Sequence, residues 1–204
     1  MATNWPNSVQ TFTNPTTGSA LNSPSHADQH TTVNDTVEAL QNYAGLVFVK
    51  SVSIGSSVTS VTVTDAFDSR FSNYRIHVEG TQFGSTTDRF LRIQFGGSTT
   101  GYYGALSWLQ YTGSTSAVLA NNDSMLPVGS YSGTSYSANY IIDVFSPYLA
   151  QRTTVSATGS GSGVANFAGG QHIYANSYSY FTLIPRYTSM TGGTIRVYGY
   201  NDGA

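Results

Sequence analysis

The chain has no cysteine, one lysine (Lys50) and only nine per cent charged residues. Without thiols there is no disulfide, no thiolate nucleophile and no cysteine-based zinc site. A net charge of −2, with arginines spread singly, offers no electrostatic footprint for nucleic acid. No apolar run reaches membrane-spanning length, so no membrane partner is expected. The opening MATNWPNSVQTF lacks a basic region followed by an apolar one, which predicts no signal peptide. Work outside a cell would then require lysis or incorporation into a particle. With so few charges, solubility has to come from Ser, Thr, Asn, Gln and Gly.

What the chain does have is tyrosine, fifteen times, and 39 per cent apolar residues, enough to argue against disorder. Its 204 residues suffice for one well-buried domain plus an appendage.

One stretch reads as a substantial helix: Ser25 to Gly45, SHADQHTTVNDTVEALQNYAG. His26, His30, Val33, Val37, Leu40 and Ala44 follow one another at spacings of four, three, four, three and four, a heptad seam. Ser25 is the expected N-cap and Gly45 the expected stop, since a left-handed residue after a helix is cheapest as glycine. The seam is too narrow and too polar for the buried face of an ordinary globular helix, and alone in water such a helix is marginal. Copies of itself are the simplest cover. β-Branched Val33 and Val37 at successive seam positions disfavour a parallel dimer and lean toward a trimer. The alternative is a lone amphipathic helix lying on its own β domain.

Before the helix, residues 1–24 carry Pro6, Pro15 and Pro24 and read as an extended arm. Trp5, Phe12 and Leu21 are isolated apolar anchors in it. A disordered terminus is the plain reading; an arm that orders on a partner is the functional one, and the tryptophan favours it. After the helix the period switches to two. Strand-like runs include LVFVKSVSI, SVTSVTVT, NYRIHVEG, FLRIQF, YYGALSWLQY, ANYIIDVFS, QRTTVSAT, HIYANSYSYFTLI and GTIRVYGY. FGGSTTG, GSYSGTS and GSGSGVANFAGG read as breaks between them, and Gly55-Ser56 as a hairpin-like turn. The fold expected is mainly β: an extended arm (1–24), one short oligomerisation helix (25–45) and an antiparallel β-sandwich or jelly-roll-like head (46–204).

Catalytic chemistry finds little to build on. There is no G-x-S-x-G elbow, and the GSGSG run precedes no helix and lacks a phosphate-binding lysine. Glu38 and Glu79 lie on different elements, and Asp65 and Asp68 read as turn residues. His77, beside Arg75 and Glu79, reads as a member of a solvated cross-strand pair, and His172, after Gly169-Gly170, as an exposed loop residue. His26 and His30 share a helix face, yet the glutamate of H-E-x-x-H and a third ligand are missing, so no metal, cofactor or catalytic residue is assigned. Tyrosines beside serine and glycine make an adaptable contact surface. Tyr102, Tyr103, Tyr131, Tyr136 and Tyr178 are the candidate ligand surface, with a host-surface glycan stacking on the rings as the expected ligand; filling strand faces is the competing explanation.

SPSHADQHTTVNDTVEALQNYAG (Ser23 to Gly45) resembles the PSHxDxHxxVNDAVEALE-type segment near the start of many bacteriophage virion accessory proteins, with Gln29 and Thr36 at positions where that pattern varies. FSNYRIHVEG and MTGGTIRVYGYN are similar to strands of the β domain that often follows. The resemblance implies a homotrimeric virion component attached to other virion proteins by its N-terminus. The expectation is a non-enzymatic tail-fibre-like adhesin whose β head contacts the host surface. A capsid decoration or cement protein is the alternative, and a small polysaccharide-degrading tailspike the second.

Overall fold

The computed structural model describes residues 26–43, 45–84, 90–131, 137–161 and 163–201. These residues divide into two compact units, a helix-bearing one that runs through Val47 and takes in Asn201, and a β unit from Phe48 to Tyr200.

Helix α1 spans His26–Tyr43, about 27 Å at roughly 1.5 Å per residue. Gly45 follows with φ 58°, the left-handed residue expected at the stop. Thr32 and Thr36 turn their hydroxyls back on the carbonyls of Asp28 and Thr32, each at 2.8 Å, so these side chains are satisfied within the helix.

Among the described residues thirteen strands follow: β1 (Leu46–Ser53), β2 (Val61–Val63), β3 (Asn73–Phe83), β4 (Phe90–Phe95), β5 (Tyr102–Gln110), β6 (Thr115–Asp123), β7 (Leu126–Ser130), β8 (Ala138–Phe145), β9 (Thr153–Gly161), β10 (Val164–His172), β11 (Phe181–Pro185), β12 (Met190–Thr191) and β13 (Thr194–Tyr200). A nine-stranded sheet runs β1-β13-β3-β8-β9-β10-β5-β6 with β12 added on β3, and a four-stranded sheet runs β2-β11-β4-β7. Antiparallel pairing throughout the registered strands gives the sandwich-like, mainly β fold that the alternating runs predict.

Alternation is what puts the core between the sheets. Tyr74, Ile76 and Val78 of β3 are buried, as are Tyr140, Ile142 and Val144 of β8, while their sequence neighbours face outward. In the smaller sheet, Val63, Phe95, Phe181 and Leu183 are buried as well. The Phe67 ring lies 4.8 Å from that of Tyr74 and 5.6 Å from that of Phe181, tying both sheets to one aromatic cluster. β7 is buried along its whole length.

The alternation of β3 breaks once. Its register with β8 shifts between Val78 and Thr81, at Gly80 (φ 72°), whose N–H is taken by Asn139 Oδ1 at 3.0 Å. The extra residue moves the buried positions from 74, 76 and 78 to 81 and 83. Gly193 packs so closely against this bulge that a Cβ there would collide with the Glu79 carbonyl oxygen.

Three sequence expectations are corrected here. Gly55-Ser56 joins no hairpin, because β1 lies in the larger sheet and β2 in the smaller. GSGSGVANFAGG is mostly strand and not a break: residues 159–161 end β9 and residues 164–170 belong to β10. HIYANSYSYFTLI is not one strand, since β10 ends at His172 and β11 begins at Phe181, in the other sheet.

Candidate functional site

On α1 three seam residues face solvent. Val33 and Val37 are each 46% exposed, and His30 is exposed as well. His26 and Leu40 lie within the helix, and Ala44 falls outside the described residues. The arm anchors Trp5, Phe12 and Leu21 also fall outside them.

The tyrosine surface is largely a core. Tyr102, Tyr131 and Tyr178 are buried, so they do not form a contact surface; Tyr136 lies outside the described residues, and Tyr103 is half-buried. The reason is that a tyrosine can bridge the two sheets if its hydroxyl finds the backbone opposite. Tyr102 of β5 accepts the Phe95 N–H of β4 at 2.7 Å. Tyr140 of β8 donates to the Ser130 carbonyl of β7 at 3.0 Å. Tyr131 lies flat on Phe83 with ring centres 3.6 Å apart. Burial pushes the Tyr102 and Tyr140 phenols well above their ordinary range.

His172 is a second correction: it is wholly buried at the end of β10. Its Nε2 lies 3.0 Å from the Thr100 carbonyl and 2.9 Å from Ser98 Oγ. A carbonyl only accepts, so Nε2 carries the proton and Nδ1 is left to accept the Tyr178 hydroxyl at 2.8 Å. Burial pushes the imidazole below its ordinary value, against the opposing hydrogen bond to Thr100. The histidine is therefore a neutral strut beneath the loop from Ser98 to Gly101. Nothing in GGQHIY marks it as buried; only its partner Tyr178 could have hinted at it.

On the outer face of the larger sheet the register sets the side chains in rows. One row runs Tyr198, Arg75, Asp143, Ser156, Gly169 and Ala105; the next runs Arg196, His77, Ile141, Thr158, Phe167 and Ser107. At the β13-β3-β8 end the face is charged and internally paired. Arg75 grips Asp143 through Nε at 2.7 Å and a terminal nitrogen at 2.9 Å, and the Tyr200 hydroxyl donates to the same carboxylate at 2.6 Å. Burial alone would push the Asp143 carboxyl up, but the Arg75 and Tyr200 hydrogen bonds together outweigh it and hold it low. Burial, reinforced by the Asp143 charge, pushes the Tyr200 phenol up to about 12. Glu79 pairs with Arg196, while His77 Nδ1 stands 3.6 Å from it and the His77 ring 5.2 Å from that of Tyr198. Away from the sheet face, Asp68 is held low chiefly by its hydrogen bonds from Arg70. Each of these carboxylates is thus committed to a cation, an arrangement of structure more than of proton transfer. Among the described residues, no three His, Asp or Glu side chains come together as a metal set.

Two shallow depressions open on this face. One of about 490 Å³ lies among Leu109, Tyr111, Asn139, Ser160 and Gly163, and one of about 310 Å³ among His77, Glu79, Asn139, Ile141 and Thr158. Tyr111, 86% exposed, is steadied by its N–H bond to the Gly163 carbonyl at 2.9 Å, and its ring lies where a Cβ on residue 163 would stand.

No known protein family matches the chain, and no curated protein does. Among solved structures, the CBM2 module of the evolved Dit of Lactobacillus casei BL23 phage J-1 is 9% identical over 71% of this chain and 70% of its own, with a TM-score of 0.19. The VP2 subviral particle of infectious bursal disease virus is 14% identical over 76% of this chain and 39% of that one, with a TM-score of 0.12. One is a phage module and the other part of a viral particle, but likenesses this low carry no weight for the fold or the function of this chain.

Proposed function

We propose that the chain is a non-enzymatic structural component of a phage virion: a short, trimeric, fibre-like adhesin. Residues 1–24 dock on other virion proteins, α1 trimerises, and the β head meets the host surface. The observation that carries this reading is the pair Val33 and Val37, apolar, one helical turn apart and each 46% exposed on the single chain. The likeness of Ser23 to Gly45 to segments of phage virion proteins supports the setting. The pairing of Asp143, Glu79 and Asp68 with arginines supports a protein that binds over one that hydrolyses.

Light scattering on the full chain is the test. Three chain masses are expected for the wild type. Val37→Asp, which sets a carboxylate in the seam, is expected to shift assembly to at least tenfold higher concentration while the β unit keeps its circular dichroism. A wild-type monomer that persists at high concentration overturns the reading. A map of the virion with the protein seated on the capsid lattice, and none on the tail, would replace the adhesin by a decoration protein.

A further inference from the structure

The outer face of the larger sheet changes character at β9. The chain has no Asp, Glu, Lys or Arg between Arg152 and Arg186, and none between Arg92 and Asp123. Across β9, β10, β5 and β6 the only charge is Asp123, the last residue of β6. Standing out from this half are Leu119 at 73%, Phe167 at 61% and Leu109 at 50% exposure. Between them the register places Ser156, Thr158, Ala105, Ser107 and Ala117, side chains short enough to let another surface come close.

β6 compounds the problem. It is the edge of the sheet, and of its nine residues only Ala120 is buried. Proteins that leave an edge strand in water blunt it with lysine, proline or an inward charge. β6 has none of these within it; its one irregularity, between Tyr102 and Tyr103 of β5, lies at the Asp123 end. The extent is also that of an interface. Strands about 4.8 Å apart, each nine residues long at about 3.3 Å per residue, make a four-strand patch of about 570 Å² in plan. Side-chain relief brings that toward the roughly 800 Å² each partner gives to a stable complex.

We infer that a second copy of this chain covers the uncharged half of the face, so that the heads of an oligomer pack through β5, β6 and β10. The inference rests on the self-association proposed for α1, because copies gathered by one seam meet at high effective concentration for a second contact. Depletion of charge with retained apolar and aromatic side chains is the composition of such an interface core. A contact of this kind gives the head a fixed place among its copies and spares the charged end, β13-β3-β8, for solvent or for another partner.

A chain without cysteine makes the test direct, since Leu119→Cys introduces the only thiol. Its rate of reaction with a maleimide, in full-length protein of measured mass, is compared with that of Thr62→Cys, an exposed position on the smaller sheet. In the oligomer, Leu119→Cys is expected to react at least tenfold more slowly than Thr62→Cys. Adding Val37→Asp and diluting to monomer should bring the two rates together. Equal rates in a proven oligomer would show the face open and end the inference while leaving the helix seam standing. Protection that persists in the monomer, or that vanishes on deleting residues 1–24 with the number of copies unchanged, would identify the chain's own arm as the cover and also end it. A chain monomeric at every concentration removes this contact and the seam together.

Discussion

Replacing Tyr102 with phenylalanine is expected to cost more than the same change at Tyr140, although both rings are buried and both hydroxyls bridge the sheets. Tyr102 accepts the Phe95 N–H at 2.7 Å inside the core. Removing the oxygen leaves that amide without a partner, at a cost of about 1–3 kcal/mol. For a domain of this size each kcal/mol lowers the melting temperature by about 2–4 °C, so Tyr102→Phe should lose about 2–12 °C. Tyr140 instead donates to the Ser130 carbonyl, which also accepts Asn166 Nδ2 at 3.1 Å. That oxygen keeps one partner when the phenol goes, and only a neutral bond of about 0.5–1.5 kcal/mol is forfeited, or about 1–6 °C. Differential scanning calorimetry at a single protein concentration measures both, with association held constant between them. A loss at Tyr140→Phe equal to or larger than that at Tyr102→Phe would refute the reasoning from buried donors.

Acid should loosen the strut beneath Ser98–Gly101. The folded His172 takes its proton below the ordinary imidazole value, so the unfolded chain binds more protons once pH drops under about 6.5. Its contribution is therefore complete above that value and declines as pH falls toward the folded one; His172→Gln should flatten the melting temperature between pH 7 and 5, and an unchanged slope would contradict the assignment. Arg75→Met strips Asp143 of both arginine bonds and leaves Tyr200 as its one remaining side-chain hydrogen bond against burial. Asp143 in the wild type is held low, so its stabilisation persists above the ordinary carboxylate value and is lost as pH falls through the folded one. The variant's acid-unfolding midpoint should move to higher pH, and a midpoint that does not move would count against the pair.

The β class and most of the strands were legible because half-buried strands advertise themselves by alternation, as NYRIHVEG does in β3. Where strands were missed, that signal is absent for a physical reason. β6 has one buried residue, so TSAVLANND has no inner face to display; β7 is buried on both faces, so LPVGS has no outer one. In β9 and β10 the glycines are not punctuation. Gly159 leaves room for the Tyr140 ring and Gly170 for Leu126, and small residues chosen by a neighbour's bulk read like a loop. The tyrosines misled by the same route, since composition reports that a ring is present and not which side of the sheet it occupies. The helix stop at Gly45 was readable because backbone chirality alone decides it.

The extra residue at Gly80 makes β3 a strand in two phases, and the backbone kink that absorbs it is more constrained than the side chains around it. A substitution at Glu79 or Gln82 alters one outward side chain; flattening the bulge with all its residues kept would rotate everything beyond it by half a pleat. Thr81 and Phe83 would then turn to water, and Phe83 would lose the ring of Tyr131 stacked upon it. Variants of this protein can therefore drift in sequence around the crease, but while they carry its extra residue they have to keep the crease.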